Sequence, residues 1–127
     1  MLHVHTHLYP QAVVLHLEGR FDYHSMDTFL PALSKAEKPP NPPHIVLALH
    51  KVTFIDSMAI GRLVGTWHRL QRDGVRFTLT GQVGYVDTAL RQMKLEAMVP
   101  TVETIEEALA MPHFAASLER NIDGGTR

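Results

Sequence analysis

Histidine is abundant in this chain, which contains nine histidines and no cysteine. Near the N-terminus His3, His5 and His7 alternate with uncharged residues, so on a β-strand they share one face at spacings of about 6.5–7 Å. Alternating histidines can bind zinc or copper, with further ligands supplied by another element, such as His16. The alternative is that they form the polar face of an exposed edge strand. The lack of an acidic residue nearby in the sequence favours this second interpretation.

A second place for chemistry is Asp56-Ser57, which follows an apolar run and precedes a helical pattern. Backbone N–H groups at the start of a helix attract anions, and the side chain of either residue could cap them. The plainer interpretation is an ordinary helix N-cap. In a parallel sheet, however, binding sites gather at such junctions between a strand and a helix.

Other catalytic or cofactor signatures are missing from the sequence. The few serines do not occur in a Gly-x-Ser-x-Gly elbow, and the run from Gly81 to Gly84 is too short for a dinucleotide fingerprint. The absence of cysteine excludes disulfides and thiolate sites. We therefore expect a protein that is not an enzyme and holds no cofactor.

Composition predicts one globular domain. The 127 residues are 45% hydrophobic, and the formal net charge is -1, which does not indicate a nucleic-acid partner. No apolar run approaches the roughly 18 residues that a membrane span needs, and the first ten residues lack a signal-peptide core. These features predict a cytoplasmic protein without membrane insertion.

The periodicity of apolar residues predicts the elements that position these groups. Period-two patterns and apolar runs indicate five strands, over residues 2–8, 12–17, 45–55, 75–80 and 99–102, with Gly19 breaking the second strand. Helical stripes begin near residues 25, 57, 86 and 104. The order β-β-α-β-α-β-α-β-α predicts a single α/β domain with a mixed, mostly parallel sheet, an N-terminal antiparallel hairpin and about four helices. Pro100 favours an edge or bulge position for the last strand over a central one.

We expect the domain to span residues 1–111, and residues 112–127 to form a C-terminal helical extension and a disordered tail. The prolines around Asn41 are expected to stop the first helix and form a short stiff loop.

Within this frame, the run from Val52 to Leu63 resembles the signature of STAS domains of the bacterial anti-sigma factor antagonist type. In that family a hydrophobic strand ends in Asp-Ser-Ser/Thr-Gly-Leu-Gly, which opens the next helix. The segment from Glu18 to Asp22 resembles the family's Gly-x-hydrophobic-Asp turn, and residues 74–81 resemble its strand after the helix. The resemblance covers about residues 10–110.

The resemblance implies a partner-switching protein that binds an anti-sigma factor, itself a serine/threonine kinase, and so releases a sigma factor. Phosphorylation at the second position after the motif's Asp ejects the antagonist in that family. Here this position is Met58, followed by Ala59 in place of glycine, and Ser57 is the remaining candidate phosphoacceptor. Either the switch is lost and binding is constitutive, or regulation lies elsewhere.

We expect the partner surface at the start of the helix after Asp56, in the loop around Tyr23, and along the exposed side of that helix through Arg62 and Arg69. The predicted contact residues are Asp22, Tyr23, His24, Asp56, Ser57, Met58, Ala59 and Arg62.

Two alternatives stay open at this stage. The first is an accessory STAS subunit of an ABC lipid-transport system, and the second is a metal-binding or sensory domain based on the N-terminal histidines. A homodimer is also compatible with an exposed first strand and with the apolar spacing of Phe114, Leu118 and Ile122.

Overall fold

The computed structural model describes residues 1–38 and 42–111, which form a mixed sheet flanked by helices. The strands are β1 (Leu2–Leu8), β2 (Val13–Phe21), β3 (His44–Ile55), β4 (Arg76–Thr80) and β5 (Thr101–Val102). The helices are α1 (Met26–Ala36), α2 (Ser57–Arg72), α3 (Gly84–Gln92) and α4 (Ile105–Leu109), with single 3-10 turns at Tyr23–Ser25 and Leu95–Ala97.

The five strands lie in the order β1-β2-β3-β4-β5. The β1–β2 pair is antiparallel, and the other three pairs are parallel. This arrangement confirms the fold class and element order that the periodicity predicts. Among the described residues, strand β5 lies at the edge of the sheet, as the proline before it indicates.

Both faces of the central strands are buried. On the main helical side, Leu15 of β2 and Leu47 of β3 pack with the inward residues of the helices, such as Phe29 and Leu63. On the other side a smaller cluster lies under α4: Ala12, Val14, Val46, Ala48 and Ala108. The continuous apolar run at residues 45–49 follows from this burial on two sides.

Strand β2 does not break at Gly19, contrary to the sequence prediction, and continues to Phe21. Gly19 has a φ of 109°, and the pairing with β3 shifts register between Gly19 and Arg20. A Cβ atom on Gly19 would overlap the carbonyl oxygen of Met1. The glycine therefore allows a bulge and a close backbone approach inside the strand, which carries β2 to the edge where Asp22 begins the next turn.

Strand β1 is only partly covered. Leu2 is buried and Val4 packs against the core, but Thr6 and Leu8 on the same face are exposed, Leu8 to 73%. The predicted half-buried alternation therefore holds for the first half of the strand only, because the hydrophobic cluster ends at Val4.

Some expectations fall outside the described part of the chain. Helix α1 ends at Ala36, but residues 39–41 of the proline-rich loop are not described. The same holds for the extension and tail over residues 112–127, including Phe114, Leu118 and Ile122. Within residues 1–38 and 42–111, every helix is too short or too polar to cross a membrane.

Candidate functional site

Asp56 joins two loops at the end of β3. Its side chain is the N-cap of α2, where Oδ1 accepts a hydrogen bond from the Ala59 N–H at 2.9 Å. Its Oδ2 accepts a hydrogen bond from the Tyr23 N–H at 3.0 Å. One carboxylate thus caps a helix and holds the loop that follows β2. Of the two possible caps, Asp56 has this role, and Ser57 is the exposed first residue of the helix.

The loop after β2 is closed by its own reciprocal cap. Asp22 accepts a hydrogen bond from the Ser25 N–H at 3.2 Å, and the Ser25 hydroxyl oxygen accepts one from the Asp22 N–H at 2.8 Å. Arg20 adds an ion pair to the second carboxylate oxygen of Asp22 at 3.4 Å. Asp22 is buried, so it shapes the loop rather than forming its outer surface, where Tyr23 and His24 are exposed.

Large apolar side chains are exposed where three parallel strands end. Tyr23 follows β2 and is 61% exposed, Met58 follows β3 and is 50% exposed, and Val83 and Tyr85 follow β4 and are also exposed. Because β2, β3 and β4 are parallel, their carboxyl ends lie at one edge of the sheet, here called the carboxyl edge. Val83 and Tyr85 were not predicted from the sequence, although the glycine-bounded turn from Gly81 to Gly84 marks their position.

A stack of three side chains from three elements borders the carboxyl edge. The guanidinium of Arg20 lies 4.1 Å from the ring centroid of Phe54. The Phe54 ring in turn stacks on Tyr85, with centroids 5.7 Å apart and planes within 6° of parallel. The stack holds the start of α3 against the ends of β2 and β3.

Two more residues expected at the partner surface make contacts within the fold. Ala59 is fully buried on the inward side of α2 and contributes only its backbone N–H to the site. Arg69 donates two hydrogen bonds to the carboxylate of Glu37, one of them at 2.9 Å, and this pairing raises the pKa of Arg69. Arg69 thus fastens the end of α2 to the end of α1, while Arg62 is exposed in the second turn of α2.

The N-terminal histidines lie on the sheet face opposite α1. His5 is paired with His16 in the β1–β2 register, and the rings of His16 and His50 are 6.2 Å apart, edge to face. We call this surface the histidine face and define it by five residues: His3, His5, His7, His16 and His50. Within residues 1–38 and 42–111, no three histidine or acidic side chains are placed to hold a metal ion.

Partial burial and the neighbouring cations, His50 first among them, lower the pKa of His16. The β1–β2 register also places an acidic residue beside the β1 histidines, because Glu18 lies opposite His3. The two residues are far apart in the linear sequence, so this proximity could not be read from it.

The family model of the STAS domain matches residues 3–108, so the chain belongs to the STAS domain family. This confirms the resemblance drawn from the residues around Asp56. No curated protein sequence matches the chain.

Solved structures share the fold at low sequence identity. An anti-sigma factor antagonist from Mycobacterium paratuberculosis is 18% identical, with a TM-score of 0.77 over 86% of this chain and 92% of that one. The Bacillus cell fate determinant SpoIIAA in its phosphorylated form is 20% identical, with a TM-score of 0.64 over 84% and 96% of the two chains. A sulfate transporter family protein from Wolinella succinogenes is 18% identical, with a TM-score of 0.69 over 87% and 88%. The fold therefore occurs in more than one functional setting, and function must be argued from the site.

Proposed function

We propose that the chain is a non-enzymatic interaction module that binds an anti-sigma factor with serine kinase activity in the cytoplasm, and so regulates transcription by partner switching. Membership of the STAS family and a fold shared with an anti-sigma factor antagonist support this proposal. The observation that carries it is Met58, which is exposed in the first turn of α2. The resemblance of the motif assigns the family's phosphoacceptor to this position.

The carboxyl edge has the composition of a protein-binding surface. Exposed apolar side chains grouped at one edge are typical of a contact site, and a methionine adapts to the shape of its partner. Tyr23 and Met58 are positioned by the same Asp56 carboxylate, which bonds one residue of each loop. His24, Ser57 and Arg62 supply polar groups around them, a distribution expected of an interface with an apolar centre and a polar rim.

Met58 also predicts how this interaction is regulated. A phosphate adds about -1.5 to -2 charges, which disrupts a packed apolar contact through desolvation and repulsion. A methionine cannot accept a phosphate, so ATP should not eject this chain through residue 58. Ser57 is the neighbouring hydroxyl; it is exposed and does not cap the helix.

A sigma-release assay tests the proposal. A kinase-type anti-sigma factor from the same genome is loaded with its sigma factor, and the chain is added with and without ATP. We expect the chain to release the sigma factor in both cases. We expect the Met58→Ser variant to release it without ATP, but to be phosphorylated and ejected when ATP is present.

Mass spectrometry of the α2 peptide locates any phosphate in the same samples. A phosphate on Ser57 of the unmodified chain, absent from a Ser57→Ala variant, would identify Ser57 as the acceptor and show that the switch is retained. Failure to release the sigma factor from any kinase-type anti-sigma factor of that genome would contradict the proposed function.

A further inference from the structure

Strand β1 is an edge strand with an unusual composition. Among residues 1–38 and 42–111 it stands first in the sheet order and pairs only with β2, so in this described part of the chain the backbone groups on its outer side have no strand beside them. Exposed edges are usually protected by lysine, proline, a bulge or a very short strand. The seven residues of β1 contain no lysine, arginine, acid or proline, and the pairing with β2 is regular throughout. Its only ionisable side chains are histidines, the residue type whose charge ordinarily changes between pH 5 and 8.

The pattern of β1 also reads the same in both directions. Leucine stands at both ends, histidine at the second, fourth and sixth positions, and uncharged Val4 and Thr6 between them. An antiparallel copy centred on His5 would place Leu2 opposite Leu8 and His3 opposite His7. Such self-complementarity is what a two-fold interface between identical chains requires.

The geometry of an antiparallel ladder permits this register. In the register centred on His5, every pair joins two even-numbered or two odd-numbered residues. The N–H and C=O groups that point away from β2 in one copy therefore meet the corresponding groups of the other copy. The same parity keeps each side chain on its own face, histidines with histidines and the uncharged leucines, Val4 and Thr6 with one another. The exposed end of the apolar face at Leu8 would then lie beside the buried Leu2 of the second copy.

We propose that two copies of the chain pair through their β1 strands into a continuous ten-stranded sheet while the β1 histidines are neutral, and that protonation of these histidines separates them. The interface lies at the opposite end of the strand order from β5 and uses none of the residues proposed for the anti-sigma partner. The proposal is therefore independent of the function proposed above.

The charges that face the β1 histidines favour separation in acid. On β2, His16 lies opposite His5 and Glu18 opposite His3, and on β3, His50 and Lys51 act on His16. Tyr9 stacks on His7 with ring centroids 4.5 Å apart. Helix α1 packs on the other face of β1, beside Leu2 and Val4, so its charged groups do not face the histidines. Among these described elements, Glu18 is therefore the one acid that faces the β1 histidines. The other ionisable groups near them, Lys51 and the further histidines, are basic.

Sedimentation velocity over a concentration series at about pH 7.5 and about pH 5.5, at equal ionic strength, measures the association. We expect a dimer at the higher pH, and a dissociation constant at least about tenfold larger at the lower pH, because three histidine pairs then carry like charges. The His5→Lys variant should be monomeric at both values. Its matched control, His68→Lys at an exposed histidine of α2, should dimerise as the unmodified chain does.

A cysteine cross-link tests the register, and the chain has no cysteine of its own to interfere. Residue 5 would face itself with Cα atoms about 4.5 or 5.5 Å apart, within the range for a disulfide. His5→Cys should therefore form a disulfide dimer upon mild oxidation at about pH 7.5. His3→Cys should not, because the two copies of residue 3 would lie about 13 Å apart along the strands.

Three results would overturn the proposal. These are a monomer at every concentration at the higher pH, a His5→Lys variant that still dimerises, and a His3→Cys variant that cross-links as well as His5→Cys. Circular dichroism of each variant establishes that it is folded, so that loss of the dimer is not loss of the domain.

Discussion

At the scale of single residues, the site depends most on Asp56. A cap at this position could be predicted from the sequence, because an aspartate between a strand pattern and a helix pattern is a local signal. Its hydrogen bond to Tyr23 could not be predicted, because that bond joins residues 33 positions apart and requires the β2–β3 register. The burial of Ala59 was likewise set by the orientation of α2 against the sheet.

Substitutions of Asp56 should separate its two roles. Asp56→Ala removes the acceptors for both Ala59 and Tyr23, and we expect a loss of about 2–3 kcal/mol in the free energy of unfolding. Asp56→Asn retains one side-chain oxygen for the cap, so its loss should be smaller, about 1 kcal/mol. Urea denaturation followed by circular dichroism measures both. Equal stability of Asp56→Ala and the unmodified chain would show that neither hydrogen bond contributes.

At the scale of the elements, the periodicity of apolar residues predicted strand and helix order correctly and failed at Gly19. A glycine between a strand and a polar turn favours a strand end, but here it accommodates a bulge inside β2. A glycine is needed at this position because a side chain would meet the carbonyl oxygen of Met1. This contact lies across the β1–β2 pair, so the local sequence does not reveal it. The Arg20, Phe54 and Tyr85 stack was missed for the same reason, since each residue comes from a different element.

A pair of glycine substitutions tests this account of β2. Gly19→Ala places a side chain at a positive φ and against the Met1 carbonyl oxygen, so we expect it to destabilise the fold by more than about 2 kcal/mol. Gly65→Ala, in the interior of α2 with no neighbouring atom within 4 Å of the added Cβ, should stabilise the fold by about 0.5–1 kcal/mol. Thermal unfolding of the two variants compares them, and equal effects would contradict the close approach at Gly19.

At the scale of the whole molecule, the two surfaces occupy different parts of one sheet. The carboxyl edge presents apolar side chains from the loops after β2, β3 and β4, while the histidine face is formed by β1, β2 and β3. The family and the fold could be recognised from the sequence, because the motif at Asp56 occurs in a matching order of elements. The grouping of Val83 and Tyr85 with Met58 was not predicted, because it depends on β3 and β4 being neighbours in the sheet and on which side chains after β4 are exposed.

The central claim is that Met58 lies at the contact with a kinase-type anti-sigma factor, and calorimetric titration of two matched variants tests it most directly. An aspartate in the first turn of α2 is compatible with the helix dipole, so Met58→Asp should fold. Met93→Asp introduces the same charge at a methionine of similar exposure, 58%, at the far end of α3. We expect Met58→Asp to weaken binding at least about thirtyfold, equivalent to about 2 kcal/mol, and Met93→Asp to leave it unchanged. Equal affinities of the two variants for the anti-sigma factor would contradict the claim.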